Sequence, residues 1–162
     1  MRKVNVAVVG CGNISGIYLK NLTELFANIN IYAVSDLIDE NAKSAAEEYH
    51  ADKIMTLDEI LEDANAEVVL NLTTPPLHYG ICKRILNAGK HVYVEKPLSI
   101  SFEEGKELVE LAESKNLLIG CAPDTFLGSG IQTCKKIIDD GLIGDVIGAT
   151  AFMMCHGHEH WH

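Results

Sequence analysis

The amino-acid sequence predicts an α/β fold built on a doubly wound parallel sheet. Three observations predict it. Short, nearly all-apolar runs alternate with longer segments of helical spacing along the chain. A glycine turn, Gly10-Cys11-Gly12, joins the first apolar run to the first helical segment. An acidic residue, Asp36, closes the second run.

Val4–Val9 reads as a strand covered on both faces, because it lacks polar alternation. Ile14, Ile17, Leu22, Leu25 and Phe26 recur at helical spacing and predict a helix from Asn13 to about Ala27. Ile29–Val34 is the second strand, and alanine-rich Glu40–His50 the second helix. Ile54–Met55 is a third, very short strand. Thr56 caps the next helix and Glu59 reaches back to it in a capping box; that helix ends near Asp63. Val68–Leu72 is the fourth strand. Pro76–Ala88 is a helix with proline early, where a missing N–H costs nothing, and Gly89 at its end. Val92–Val94 is the fifth strand. Ser101 and Glu104 repeat the capping pattern and start a helix to about Lys115. Leu117–Cys121 is the sixth strand. Gly130–Asp140 is a last helix, stopped by Gly141, and Val146–Met154 begins a further extended run. Residues 1–122 are expected to form a dinucleotide-binding domain. Residues 123–162 are expected to supply a crossover helix and the first strand of a missing second α/β domain.

Composition narrows the function. Apolar residues at 48% and charged residues at 22% are ordinary for a globular chain with a real core. The balance of 13 basic against 23 acidic residues, net −10, argues against a nucleic-acid partner, which needs clustered Lys and Arg. Five cysteines without a C-x-x-C pair argue against a disulfide framework or a zinc ribbon and fit a reducing compartment. The apolar run after Met1 is too short for a signal peptide, and no stretch approaches a membrane span. The chain is therefore read as cytoplasmic, with no membrane partner.

The glycine turn and Asp36 carry the first chemistry. Gly10 and Gly12 occupy the first two positions of G-x-G-x-x-G, the pattern of a Rossmann-type dinucleotide site. The third is Ser15, small enough for close helix–strand packing, with Gly16 one place late. Such a turn brings backbone N–H groups, here around Asn13 and Ile14, to a pyrophosphate at the helix N-terminus. Asp36 lies 20 residues beyond Gly16, where a carboxylate can accept the hydroxyls of an adenosine ribose. Its competing reading is a cap for the following helix. Leu37 comes next, and no arginine stands near to welcome a 2′-phosphate, so NAD is favoured over NADP.

Two further loops follow strands that should end at the same edge. Thr73, Thr74, Pro75 and His78 follow the fourth strand, where the strand order of such a sheet reverses and a ligand crevice opens. They read as a capped helix start and as cofactor contacts. Glu95-Lys96-Pro97 follows the fifth strand. A lysine there can hydrogen-bond a substrate hydroxyl and assist proton transfer during hydride removal, with Glu95 holding it in place and charged.

Taken together, Gly10-Cys11-Gly12-Asn13-Ile14-Ser15, Asp36, Thr74-Pro75-Pro76 with His78, and "AGKHVYVEKPLS" (Ala88–Ser99) resemble the Gfo/Idh/MocA oxidoreductases. The resemblance implies that Lys96 is the catalytic lysine, that Glu95 and Lys96 line a nicotinamide pocket, and that the Lys96–Pro97 bond is cis. It also implies hydride transfer between nicotinamide and a secondary alcohol of a sugar, cyclitol or polyol. Members carry a second α/β domain that shapes the substrate pocket and the oligomer interface. A homo-oligomer is therefore expected at full length, and a cofactor-binding, inactive fragment as the chain stands. Cys121–Gly128, "CAPDTFLG", departs from the arginine- or asparagine-rich loop of relatives and leaves the substrate open. Two other readings stay in play: a non-catalytic NAD-sensing module and an S-adenosylmethionine-dependent methyltransferase. His156, His158, His160 and His162 alternate and would share one face of a strand. The preferred reading is the start of the absent domain, with no metal site assigned.

Overall fold

The computed structural model describes residues 2–152 and 154. The chain divides into two compact units, one ending at Pro123 and one beginning at Asp124.

The first unit is a six-stranded, wholly parallel sheet in the order β3-β2-β1-β4-β5-β6. Its strands are β1 (Val4–Val9), β2 (Ile29–Ser35), β3 (Lys53–Ile54), β4 (Val68–Asn71), β5 (His91–Val94) and β6 (Ile119–Cys121). The helices between them are α1 (Ser15–Glu24), α2 (Asp39–Tyr49), α3 (Leu57–Glu62), α4 (Pro75–Asn87) and α5 (Phe102–Ser114). The expected doubly wound sheet is present, because its central strands β1, β2 and β4 bury apolar side chains on both faces. Val6 and Val8 of β1 pack with Leu19 and Leu22 of α1 and Ala45 of α2. Ala7 and Val9 pack on the other face with Ile60, Ile85, Leu86 and Leu108 from α3, α4 and α5. A register shift between β1 and β2 at Val6/Ala7 turns Tyr32 and Ala33 toward the same core. Cutting a fully buried Leu19, Ile85 or Leu108 back to alanine would cost about 2–5 kcal/mol.

Helix ends follow local chemistry. Thr56 and Glu59 form the expected capping box, each side chain taking the other's backbone N–H. At Ser101 the hydroxyl accepts the Glu104 N–H, at 3.2 Å. α1 starts at Ser15, two residues later than expected, because Gly12–Ile14 are spent on the turn.

Strand register sets the site. Val9 lies opposite Ser35 on one side and Asn71 on the other, Asn71 opposite Val94, and Val94 opposite Cys121. The residues that follow these positions leave the sheet at one carboxyl edge. β1 and β4 are neighbours there while their crossovers diverge, which makes the point of strand-order reversal.

The second unit holds a short 3-10 turn (Thr125–Leu127) and α6 (Ser129–Asp139), which ends at Gly141 with φ +71°. The strand expected over Val146–Met154 is absent from the described residues. A strand needs a neighbour for its N–H and C=O groups, and none pairs with this run; Val146, Ile147, Phe152 and Met154 are exposed. The four alternating histidines lie outside the described residues.

Candidate functional site

The site begins at the glycine turn. Gly10 has φ +96°, and a Cβ there would stand 2.7 Å from the Leu72 carbonyl oxygen, so only glycine fits. Its N–H donates to the Ser35 carbonyl at 2.8 Å. Gly12 differs: a Cβ would meet nothing within 4 Å, so the protein's own packing does not demand glycine. Its bare backbone faces open space, as close approach by a ligand requires. Asn13 and Ile14 are exposed beside it, and the first turn of α1 holds no acidic side chain to oppose an anion. Ser15, buried, ties its hydroxyl to the Gly12 carbonyl at 2.7 Å and keeps α1 tight against the turn. The residues present thus fit a dinucleotide's phosphates.

Asp36 is wired into the same turn. Its Oδ2 accepts the Cys11 N–H at 2.7 Å, and its Oδ1 accepts the Ile38 N–H at 2.8 Å. Ile38, not Asp36, is the N-cap of α2, and that cap has no side-chain bond; Asp36 braces the helix start from outside it, through the Ile38 N–H and the Asn41 amide. Oδ1 also takes the Asn41 side-chain amide at 3.4 Å, so Oδ2 is the oxygen that keeps a lone pair for a further donor. Leu37 beside it is almost fully exposed, at 96%. Burial, then the neighbouring Asp36 charge, pushes the Cys11 thiol up to about 11, so it stays neutral and is no nucleophile.

The loop after β4 is organised by a residue the motif reading passed over. Asn71 is fully buried; its Oδ1 accepts the Thr73 hydroxyl at 2.6 Å, and its Nδ2 donates to the His78 carbonyl at 3.2 Å. Thr73 therefore has its hydroxyl occupied, whereas Thr74 and Pro75 are exposed at the start of α4. His78 corrects an expectation. It is wholly buried, with Nδ1 2.6 Å from the Pro97 carbonyl oxygen and Nε2 2.9 Å from that of Thr73. Both ring nitrogens face carbonyl oxygens of the protein, so His78 sits between two loops and offers no exposed surface to a cofactor.

Glu95 and Lys96 give a second correction. The Glu95 carboxylate does not hold the Lys96 ammonium. Its Oε2 accepts the Lys96 backbone N–H at 2.9 Å, and its Oε1 accepts the Tyr18 hydroxyl at 2.6 Å. Among the described residues the Lys96 side chain makes no ion pair; it is exposed at the sheet edge. Glu95 shapes the turn from which the lysine projects. The Lys96–Pro97 peptide is cis, as the resemblance implies. Neither Asn71 nor Tyr18 belongs to a spacing pattern, so no local signal could have singled them out. No group of three or more His, Cys, Asp or Glu among the described residues is arranged to hold a metal. No helix of the structure is long and apolar enough to cross a membrane.

The sequence and the fold match known proteins. Residues 4–122 match the family GFO_IDH_MocA, described as an oxidoreductase family with an NAD-binding Rossmann fold. An uncharacterized oxidoreductase of Schizosaccharomyces pombe is 37% identical over 91% of this chain and 41% of its own length. The scyllo-inositol 2-dehydrogenase (NADP(+)) IolW of Bacillus subtilis is 26% identical over 88% of this chain and 39% of its own length. Among solved structures, the WlbA dehydrogenase of Bordetella pertussis, in complex with NADH and UDP-GlcNAcA, superposes with a TM-score of 0.83 at 25% identity. It covers 88% of this chain and 41% of that one. The chain thus spans about two fifths of the length of the relatives it matches.

Proposed function

The chain belongs to the Gfo/Idh/MocA oxidoreductase family, and from that premise we propose that it is the dinucleotide-binding part of an NAD-dependent polyol or sugar dehydrogenase. The supporting observation is the common carboxyl edge. Strand register gathers the Gly10–Gly12 turn, Asp36, Thr74, Pro75 and the Glu95–Lys96 turn around the point of strand-order reversal.

The residues take distinct roles. Backbone N–H groups at Gly12, Asn13 and Ile14 receive the pyrophosphate. Asp36 accepts a ribose hydroxyl at Oδ2 and disfavours a 2′-phosphate by charge, while Leu37 offers apolar surface beside it. Thr74 and Pro75 border the middle of the dinucleotide. Glu95 and Lys96 border its nicotinamide end. A bound nicotinamide supplies hydride exchange at its C4. Lys96 hydrogen-bonds the substrate oxygen and carries its proton as the alcohol and carbonyl forms interconvert. An NAD-sensing module is the competing reading; a Lys96 that is exposed at this edge and makes no ion pair among the described residues favours the dehydrogenase. Membership of an NAD-binding family leaves no support for the methyltransferase reading.

Thermal melting tests the cofactor assignment. NAD and NADH should raise Tm clearly, NADP less, and S-adenosylmethionine not at all. Asp36→Ala should weaken NAD binding by about 1–3 kcal/mol, since the carboxylate is lost as a charged acceptor. An unmutated chain stabilised equally by NAD and NADP would overturn the role of Asp36. One stabilised by neither would overturn the dinucleotide reading.

A further inference from the structure

Tyr18 makes the hydrogen bond that crosses the crevice. It stands in α1, the helix that follows β1, and its hydroxyl donates to Glu95 Oε1 at 2.6 Å. Glu95 follows β5, and β4 lies between β1 and β5 in the sheet. The bond therefore links the helix of the glycine turn to the turn that carries Lys96. Its length is that of a hydroxyl donating to a carboxylate, the stronger class of hydrogen bond. The ring is half-buried and leans on Tyr93, with centroids 6.2 Å apart. Burial, then the Glu95 carboxylate, drives the phenol well above its ordinary range, so Tyr18 remains a donor.

Both Glu95 oxygens are thus occupied, one by Tyr18 and one by the Lys96 N–H. A carboxylate held at one oxygen can swing about its side-chain torsions; held at both, it cannot. We propose that Tyr18 is a positioning residue for the nicotinamide half of the site, fixing Glu95 and, through it, the backbone of Lys96. The inference rests on the dinucleotide reading above and adds to it a residue from the opposite side of the crevice. Tyr18 acts on the nicotinamide end alone, because the adenosine end is held by Gly10, Cys11 and Asp36 without it.

Two ligands separate these ends: NADH, and ADP-ribose, which lacks the nicotinamide. In calorimetric titrations of the purified chain, Tyr18→Phe should weaken NADH about three- to tenfold, since the lost bond lies within the protein and only part of its loss is felt by the ligand. ADP-ribose should change less than twofold. Glu95→Gln should weaken NADH in the parent chain and add little on top of Tyr18→Phe, because the two act as one unit. Phenylalanine keeps the ring against Tyr93, so Tm should hold within a few degrees. Equal weakening of both ligands would mark Tyr18 as merely structural and overturn the proposal, as would unchanged NADH affinity or additive effects of the two substitutions. Failure of the parent chain to bind either ligand would overturn the dinucleotide reading itself, and this inference with it.

Discussion

The two ends of the crevice, proposed above to hold the adenosine and the nicotinamide of a dinucleotide, are built by different means. At the adenosine end the groups come from adjacent strands: Gly10 N–H bonds to Ser35, and Cys11 N–H to Asp36. What the site needs there is mostly backbone, a left-handed turn and bare N–H groups, and one acidic side chain. At the nicotinamide end the groups are side chains held by distant partners. Tyr18 reaches Glu95 across 77 positions of sequence, and His78 ties Thr73 to Pro97. One end is a backbone shape and the other a side-chain assembly. The first should break by strain and the second by loss of particular atoms.

The largest effect is expected at the side-chain end. In an active enzyme containing this chain, Lys96→Ala should lower turnover about 10²–10⁴-fold, the usual span for a general acid or base. NADH affinity should change far less, since phosphate and ribose contacts lie elsewhere. Lys96→Arg should not restore turnover, because arginine holds its proton near neutral pH and has a larger, planar head. Near-normal turnover of Lys96→Ala would return the Glu95-Lys96-Pro97 turn to a mere strand end.

The backbone end is probed by the two glycines. Gly10→Ala should destabilise the fold by about 2–5 kcal/mol, from the positive φ and the clash with the Leu72 carbonyl, read as a shifted urea midpoint. Gly12→Ala should leave stability within about 1 kcal/mol yet weaken NADH, because the added methyl stands in the space the ligand would use. Equal destabilisation by both would erase the distinction between a glycine the fold requires and one the ligand requires.

His78→Ala is the finer test. It should cost about 2–4 kcal/mol of stability, by leaving a cavity and removing the ring N–H that bonds a loop carbonyl. A variant of normal stability that fails to bind NADH would reinstate His78 as a cofactor residue and refute its assignment as a brace.

Particular residues mark how far the sequence could be read. The capping box at Thr56–Glu59 and the Gly141 helix stop were visible because each depends on a few neighbouring residues. Gly10-Cys11-Gly12 and Asp36 were visible because a tight turn and the acidic residue that meets it have fixed offsets within one βαβ unit. Val146–Met154 misled: its apolar pattern suits a strand, but strand formation is decided by a partner, and none pairs with its described residues. His78 misled in a related way. Its place in the first turn of α4 fits a ligand contact, and only the approach of the Pro97 carbonyl from another loop buries it. The Glu95-Lys96 pair was legible as a charged turn, but the arrangement of the two side chains was not.

The sequence alone determined the order of strands and helices along the chain, the glycine turn, the ribose-binding candidate and the position of the lysine, since each rests on periodicity, steric freedom or charge at short range. The tertiary structure decided which carboxylate oxygen meets which donor. It made Tyr18 a partner of Glu95, turned His78 inward, spent the Thr73 hydroxyl on Asn71, and left Lys96 without an ion pair among the described residues. The physical reason is range. A hydrogen bond forms only within about 3 Å, and for residues tens of positions apart, strand order and register, not spacing in the chain, bring them that close.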